Sequence, residues 1–162
     1  MFKQLSVALV GSALALGAYA QDQASKVQGL WKLVSYQVET KATGELDDVM
    51  GKKPTGYVNF GKDGRVFFIL TGEGRTPGKS DAENAKLLST LVSYTGSYEL
   101  TDTTFATNVE VAWNPAWVGT KQVRNYKLDG TRLQVLTPWR VMPNWPEKGE
   151  SRSIVTFERA AK

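Results

Sequence analysis

The chain is dominated by short alternating segments of apolar and polar residues separated by tight turns, with a single stretch at helical period. Residues 30–40 form the first segment. Residues 56–60 and 65–70 flank Gly61-Lys62-Asp63-Gly64, and residues 94–100 and 104–113 flank Thr101-Asp102-Thr103. Residues 120–128 and 132–137 meet at Asp129-Gly130, and residues 151–158 close the series. Asp-Gly is a strong hairpin signal because a type I′ turn needs positive φ at both central residues. Eight strands joined mostly by tight turns become antiparallel neighbours in chain order. An open sheet of that kind leaves two unpaired edges, and closure removes them. The expected fold class is therefore all-β, an eight-stranded antiparallel up-and-down β-barrel. Its interior is wide enough to be filled by side chains or to hold one small molecule.

One segment breaks the pattern. Ser80-Asp81-Ala82-Glu83 reads as a capping box, and Ala85, Leu88, Leu91 and Val92 recur at helical spacing. This predicts one short helix between the third and fourth strands, after the glycine-rich stretch 72–78. A helix there either lids one mouth of the barrel or packs on its outer wall.

The first twenty residues carry an address. Lys3 precedes an apolar run over residues 5–16, and Ala18-Tyr19-Ala20 supplies the small residues that a signal peptidase reads. The expected organisation is a signal peptide over 1–20 and one barrel domain over 21–162, with Gln21 as the mature N-terminus. The apolar run is too short to cross a bilayer as a helix, so no integral membrane span is expected. No cysteine follows the cleavage site, which excludes lipoprotein anchoring. The expected location is periplasmic or secreted.

Removing 20 of 162 residues leaves 142, enough for one core. Loss of Lys3 lowers the formal charge from +4 to +3. Acids stand among the basic residues along the chain, which describes a solvated surface and not a nucleic-acid partner. The chain has no histidine and no cysteine. That excludes a Ser-His-Asp triad, a thiol nucleophile, disulfides and the usual zinc or haem ligands. No metal and no cofactor are expected. The glycines of residues 72–78 lack dinucleotide or phosphate-loop spacing. Any chemistry falls to carboxylate, phenol, amine, guanidinium and amide groups.

Several stretches together carry a family resemblance: Gly29-Leu30-Trp31-Lys32-Leu33-Val34-Ser35-Tyr36, Gly56-Tyr57 with Asp63-Gly64-Arg65, and Tyr94, Gly96 and Tyr98. The longest runs from Val109-Glu110-Val111 through Pro115 and Trp117-Val118-Gly119-Thr120 to Gln122-Val123-Arg124. On these residues the chain resembles the bacterial lipocalin-like domain family, calycin-like β-barrels, over roughly residues 28–159. Asn108 stands where such sequences often carry histidine, and the helix falls mid-chain where lipocalins proper place theirs after the last strand. The resemblance implies that Trp31 closes one barrel end beneath an arginine from the final strands. Arg152 is the first candidate for that arginine and Arg159 the second. It assigns no reaction.

Candidate site residues come from period-two faces. Thr104, Ala106, Asn108, Glu110 and Ala112 share one face, and Gln122, Arg124 and Tyr126 share a face of the next strand. A hairpin closing at Asn114 with Thr120 would set Gln122 opposite Ala112, Arg124 opposite Glu110 and Tyr126 opposite Asn108. Either this polar patch faces the cavity, or Phe105, Val109, Val111 and Trp113 fill the barrel and Glu110–Arg124 is an outer pair. The inward orientation is the expectation, because the patch coincides with the longest stretch of resemblance. Trp113, Trp117, Trp139 and Trp145 either cap the ends of the core or form an aromatic rim, with Trp117 and Trp139 its best members.

Two functions fit. In the first, the protein binds a small apolar or amphipathic, acidic molecule. Arg124 holds the acidic end, Gln122 and Asn108 hydrogen-bond to it, and the interior takes the apolar body. In the second, a cofactor-free isomerase, cyclase or hydratase uses Glu110 as general acid or base and Arg124 or Tyr126 to stabilise negative charge. Nothing in the sequence signals turnover, so binding is the expectation.

Overall fold

The computed structural model describes residues 25–161; the expected signal peptide and its cleavage point lie outside them. Eight strands form the wall: β1 (Gly29–Thr40), β3 (Thr55–Phe60), β4 (Arg65–Thr71), β5 (Leu91–Leu100), β6 (Thr104–Ala112), β7 (Lys121–Asp129), β8 (Arg132–Leu136) and β10 (Glu150–Arg159). Each is antiparallel to the next, and β10 pairs back onto β1 to close the barrel. Two short strands, β2 (Leu46–Asp47) and β9 (Arg140–Val141), add to the ends of β1 and β10. The expected barrel is the observed one.

Alternation decides what fills it. On β4, Val66, Phe68 and Leu70 are buried while Phe67 and Ile69 face out. The lower half, where β1 begins, is packed solid with Trp31, Phe60, Phe105, Leu133 and Phe157. Phe60 meets Phe68, Tyr98 and Phe105 edge-on at centroid distances of 6.1, 5.3 and 5.3 Å, a favourable quadrupole geometry.

The lower mouth is sealed by Trp31, whose indole N–H donates to the Val27 carbonyl at 2.7 Å. The arginine over it is Arg159, 3.7 Å from the ring centroid. Arg152, the first candidate, lies over Trp139 instead, at 4.5 Å. The β1–β10 register explains the correction, since it sets Arg159 opposite Trp31 and Arg152 opposite Glu39, near the other mouth. Gly29, at φ +113°, makes room for this seal: a Cβ there would sit 3.0 Å from the Arg159 guanidinium.

Two bulges set which side chains look inward at the upper half. Val34 has no partner on β10, so the inward series runs Trp31, Leu33, Tyr36, Val38 and not Trp31, Leu33, Ser35, Gln37. Glu110 is the unpaired residue between β5 and β6, where Gly96 faces Val109 and Thr95 faces Val111. Gly96 is required there, because a Cβ would fall 1.9 Å from the Asn108 carbonyl oxygen.

The helix α1 (Asp81–Ser89) lies between β4 and β5 as expected, but is shorter. Leu91 and Val92 open β5 and do not form the last helical turn. The Ser80 hydroxyl accepts from the Glu83 amide at 3.3 Å, while the Glu83 carboxylate accepts from the Lys79 amide and not from that of Ser80. Arg75 caps the other end by donating to the carbonyls of Leu87 and Thr90, both at 2.9 Å. No residue of α1 is buried and none lines the cavity. The reason is that the Gly72 amide bonds the Thr90 carbonyl at 2.9 Å, so β4 and β5 join directly and α1 is an excursion above the joint.

Candidate functional site

The β6–β7 pairing places the key residues, and it differs from the expected one. Thr107 faces Gln122, Phe105 faces Arg124 and Thr104 faces Asn125. The segment between the strands is not a tight hairpin. β6 runs on to Ala112 paired with β5 alone, and the chain then doubles back through a short turn at Pro115–Trp117. The Gly119 amide bonds the Val109 carbonyl at 2.9 Å, and the Val109 amide bonds the Thr120 carbonyl at 3.0 Å. The register therefore differs from the tight-hairpin one by an odd number of residues, which exchanges the faces of one strand against the other. The interior receives the apolar face of β6 (Phe105, Thr107, Val109) and the polar face of β7 (Gln122, Arg124, Tyr126).

Arg124 is 5 % exposed. It donates to the Gln122 side-chain oxygen at 3.0 Å and to the Val123 carbonyl at 2.9 Å. Gln122 is itself anchored through its amide nitrogen to the Thr120 hydroxyl at 2.7 Å. No carboxylate belongs to this arrangement. Arg124 opens onto a cavity in the upper half, walled by Tyr36, Phe68, Leu70, Tyr94, Trp117 and Val135. The segment 138–149 lies across the top as a strap and contributes Arg140, Met142, Pro143, Asn144 and Trp145. Among the described residues no aspartate or glutamate lines the cavity.

The aromatic walls are ordered by mutual contact. Phe68 and Tyr94 stack at 4.5 Å, Trp117 stands edge-on to Tyr94 at 5.6 Å, and Trp145 tilts onto Tyr36 at 5.8 Å. The Tyr36 hydroxyl is hydrogen-bonded to the Ser153 hydroxyl at 2.9 Å. Burial pushes the Tyr94 phenol up to about 12, with Arg124 and Arg140 pulling the other way. Burial also raises Tyr36. Both phenols are therefore neutral donors at ordinary pH. Arg140 is held below the ordinary guanidinium range by burial and then by the charge of Arg124, and its Nε is buried without a partner.

Four of the expected site residues lie elsewhere. Glu110 is on the outer face, paired with Arg65 at 2.7 Å, because it alternates with the inward Phe105, Thr107 and Val109. It does not meet Arg124, so acid–base work by Glu110 in the cavity has no geometry. Asn108 is also outside, beside Ser97. Tyr126 is buried lower down, its hydroxyl donating to the Thr101 carbonyl at 2.8 Å. Trp139 lies under Arg152, away from the cavity. Arg124 and Trp117 line the cavity, and Gln122 stands behind Arg124. Among the described residues no group of His, Cys, Asp or Glu could hold a metal ion, and no helix is long and apolar enough to cross a membrane.

A family model described as a lipocalin-like domain matches residues 28–160, which is nearly all of the described chain. The chain belongs to the lipocalin-like domain family. Among solved structures it is similar to a redesigned β barrel at 15% identity, covering 86% of this chain and 96% of that one with a TM-score of 0.43. No curated protein matches it.

In this lipocalin-like domain Tyr36, Tyr94 and Arg140 join the site unexpectedly, while Trp145 is among the expected rim candidates. Tyr36 carried a usable signal: Tyr36 and Val38 stand out of phase with Trp31 and Leu33, as a bulge requires. Arg140 carried none, since its place depends on a strand of two residues.

Proposed function

We propose that this lipocalin-like domain is an exported binding protein for a small amphipathic acid, held in the upper cavity with its anionic group on Arg124. The observation that carries the reading is Arg124 itself, a buried guanidinium facing an aromatic cavity, with no carboxylate among the described residues of its lining to neutralise it. An unpaired buried charge costs several kcal/mol. A fold keeps one where the charge has a use, and a planar guanidinium with free N–H groups suits a carboxylate or similar oxyanion. Gln122 and Thr120 hold it in place, while Tyr36 and Tyr94 add neutral hydroxyls and Phe68, Trp117 and Trp145 supply apolar surface. Export rests on the leader-like residues 1–20.

The test is native mass spectrometry of the protein purified without denaturation, followed by titration with a fluorescent acid. A retained or added acid of apolar body should bind wild type and bind Arg124→Met at least tenfold more weakly. Equal binding by the two proteins would overturn the reading.

A further inference from the structure

The cavity is too small for the ligand just proposed. The space open to the centre of a water-sized sphere is about 40 Å³, room for roughly three waters. Sites for drug-sized molecules run to about 300–1,000 Å³. An amphipathic acid therefore fits only if part of the lining moves. The barrel wall is the poorer candidate, since its strands are paired on both sides apart from the end of β6, which pairs with β5 alone. The strap 138–149 is different. Its backbone joins the barrel only through the two-residue β9, where Arg140 faces Ser151 and Val141 faces Glu150. Beyond that it is held by side chains: Asn144 to the Ser89 carbonyl at 3.3 Å, Met142 buried against the core with its sulfur 3.4 Å from the Ser153 hydroxyl, Trp139 beneath Arg152 at 4.5 Å, the Trp145 ring against Tyr36, and Lys148 to Asp47.

This segment carries the second guanidinium. Arg140 lines the same cavity as Arg124, its Nε is buried with no partner, and no carboxylate among the lining residues offsets either charge. Two like charges repel across the site, so in the empty protein Arg140 works against drawing the strap closer. One oxyanion between them converts that repulsion into two attractions.

Resting on the reading of Arg124 above, we propose that Arg140 is a second binding residue for the same oxyanion and that the ligand, held between fixed Arg124 and strap-borne Arg140, latches the strap over the cavity. The chemistry this selects is a compact oxyanion with oxygens on two sides, a carboxylate or phosphoryl group, attached to an apolar body narrow enough to lie among Phe68, Tyr94 and Trp117. A neutral ester of the same body loses both arms. Arg140 belongs to binding and to closure, whereas Arg124 belongs to binding alone.

The experiment titrates wild type, Arg124→Met, Arg140→Met and Arg140→Lys with 11-(dansylamino)undecanoic acid and with its methyl ester. Amide hydrogen exchange over residues 138–149 is measured with and without the acid, and thermal melts check that each variant is folded. Arg140→Met is expected to weaken the acid at least tenfold and the ester hardly at all, with Arg140→Lys between. The acid should slow strap exchange in wild type and not in Arg140→Met. If Arg140→Met binds the acid like wild type while Arg124→Met does not, Arg140 is no binding residue and the inference fails, though the Arg124 reading stands. Acid weakening in Arg140→Met without strap protection in wild type overturns the latch. If wild type binds neither probe, or does not distinguish acid from ester, the Arg124 reading fails first.

Discussion

Arg159 lays its guanidinium 3.7 Å from the centroid of the Trp31 indole, opposite it across the β1–β10 seam. The same guanidinium donates to the Gln28 carbonyl at 2.6 Å and to that of Lys26. The contact closes the barrel in two senses, because it seals the lower mouth and ties the chain before the first strand to the end of the last.

Trp31→Ala should therefore cost about 3–5 kcal/mol, the usual result of truncating a fully buried aromatic. Arg159→Met should cost less, about 1–3 kcal/mol, for a cation–π contact and its hydrogen bonds. Chemical denaturation measures both. A loss under about 1 kcal/mol for Trp31→Ala would show that the indole does not plug a core.

Tyr94 gives an alkaline signature. Its phenol is raised in the folded protein to about 12 from an ordinary value of 10. The unfolded chain thus releases this proton first as pH rises, and folding stability falls. The contribution is complete below pH 10 and is lost progressively between pH 10 and 12, about 2–3 kcal/mol in all. Tyr94→Phe should flatten the decline of melting temperature over that window, and a wild-type profile no steeper than that of the variant would contradict the burial of this hydroxyl.

Much of the fold was legible and rather less of the site. The Asp129-Gly130 hairpin and the capping serine Ser80 follow from local chemistry, the place of Trp31 follows from the family resemblance, and eight strands with short connections leave closure as the natural solution. The face presented by β6 was not legible, because it depends on how residues 113–120 return. A tight hairpin and the observed doubled-back loop differ by an odd register, and nothing local in Asn114 or Thr120 distinguishes them. The site was hidden for a related reason. Tyr36, Tyr94, Arg124 and Arg140 lie on β1, β5, β7 and the strap, so only closure and the β1 bulge bring them together. Arg124 could be singled out as the cation of interest, but its surroundings could not, and Glu110 was paired with the wrong arginine.

That correction is itself testable. Glu110 and Arg65 form an outer-face pair with each side chain close to half exposed, and such pairs contribute little. Glu110→Gln and Arg65→Gln should each melt within about two degrees of wild type, with any effect shrinking further in 1 M salt. Acid-probe binding should not change in either. Loss of binding in Glu110→Gln would place that carboxylate back among the residues that matter to the cavity.

Arg124 makes the sharpest prediction, because its role as a binding group and its effect on stability have opposite signs. Were it paired with a buried carboxylate, removing it would strand that partner and destabilise the fold by about 3–5 kcal/mol. It has no such partner; its contacts are Gln122 and a backbone carbonyl. Arg124→Met alone exchanges a desolvated charge for an apolar side chain but leaves the Gln122 oxygen unpaired, which costs about 1–3 kcal/mol, so the net change should be small. Arg124→Met with Gln122→Leu removes both liabilities and should be more stable than wild type by about 1–4 kcal/mol, while binding an acidic probe at least tenfold more weakly. Melting temperature and probe affinity measured on the same samples decide the matter. A double variant that melts several degrees below wild type would mean that the Arg124 charge is already compensated in the empty protein, and the physical case for an anionic ligand would be lost.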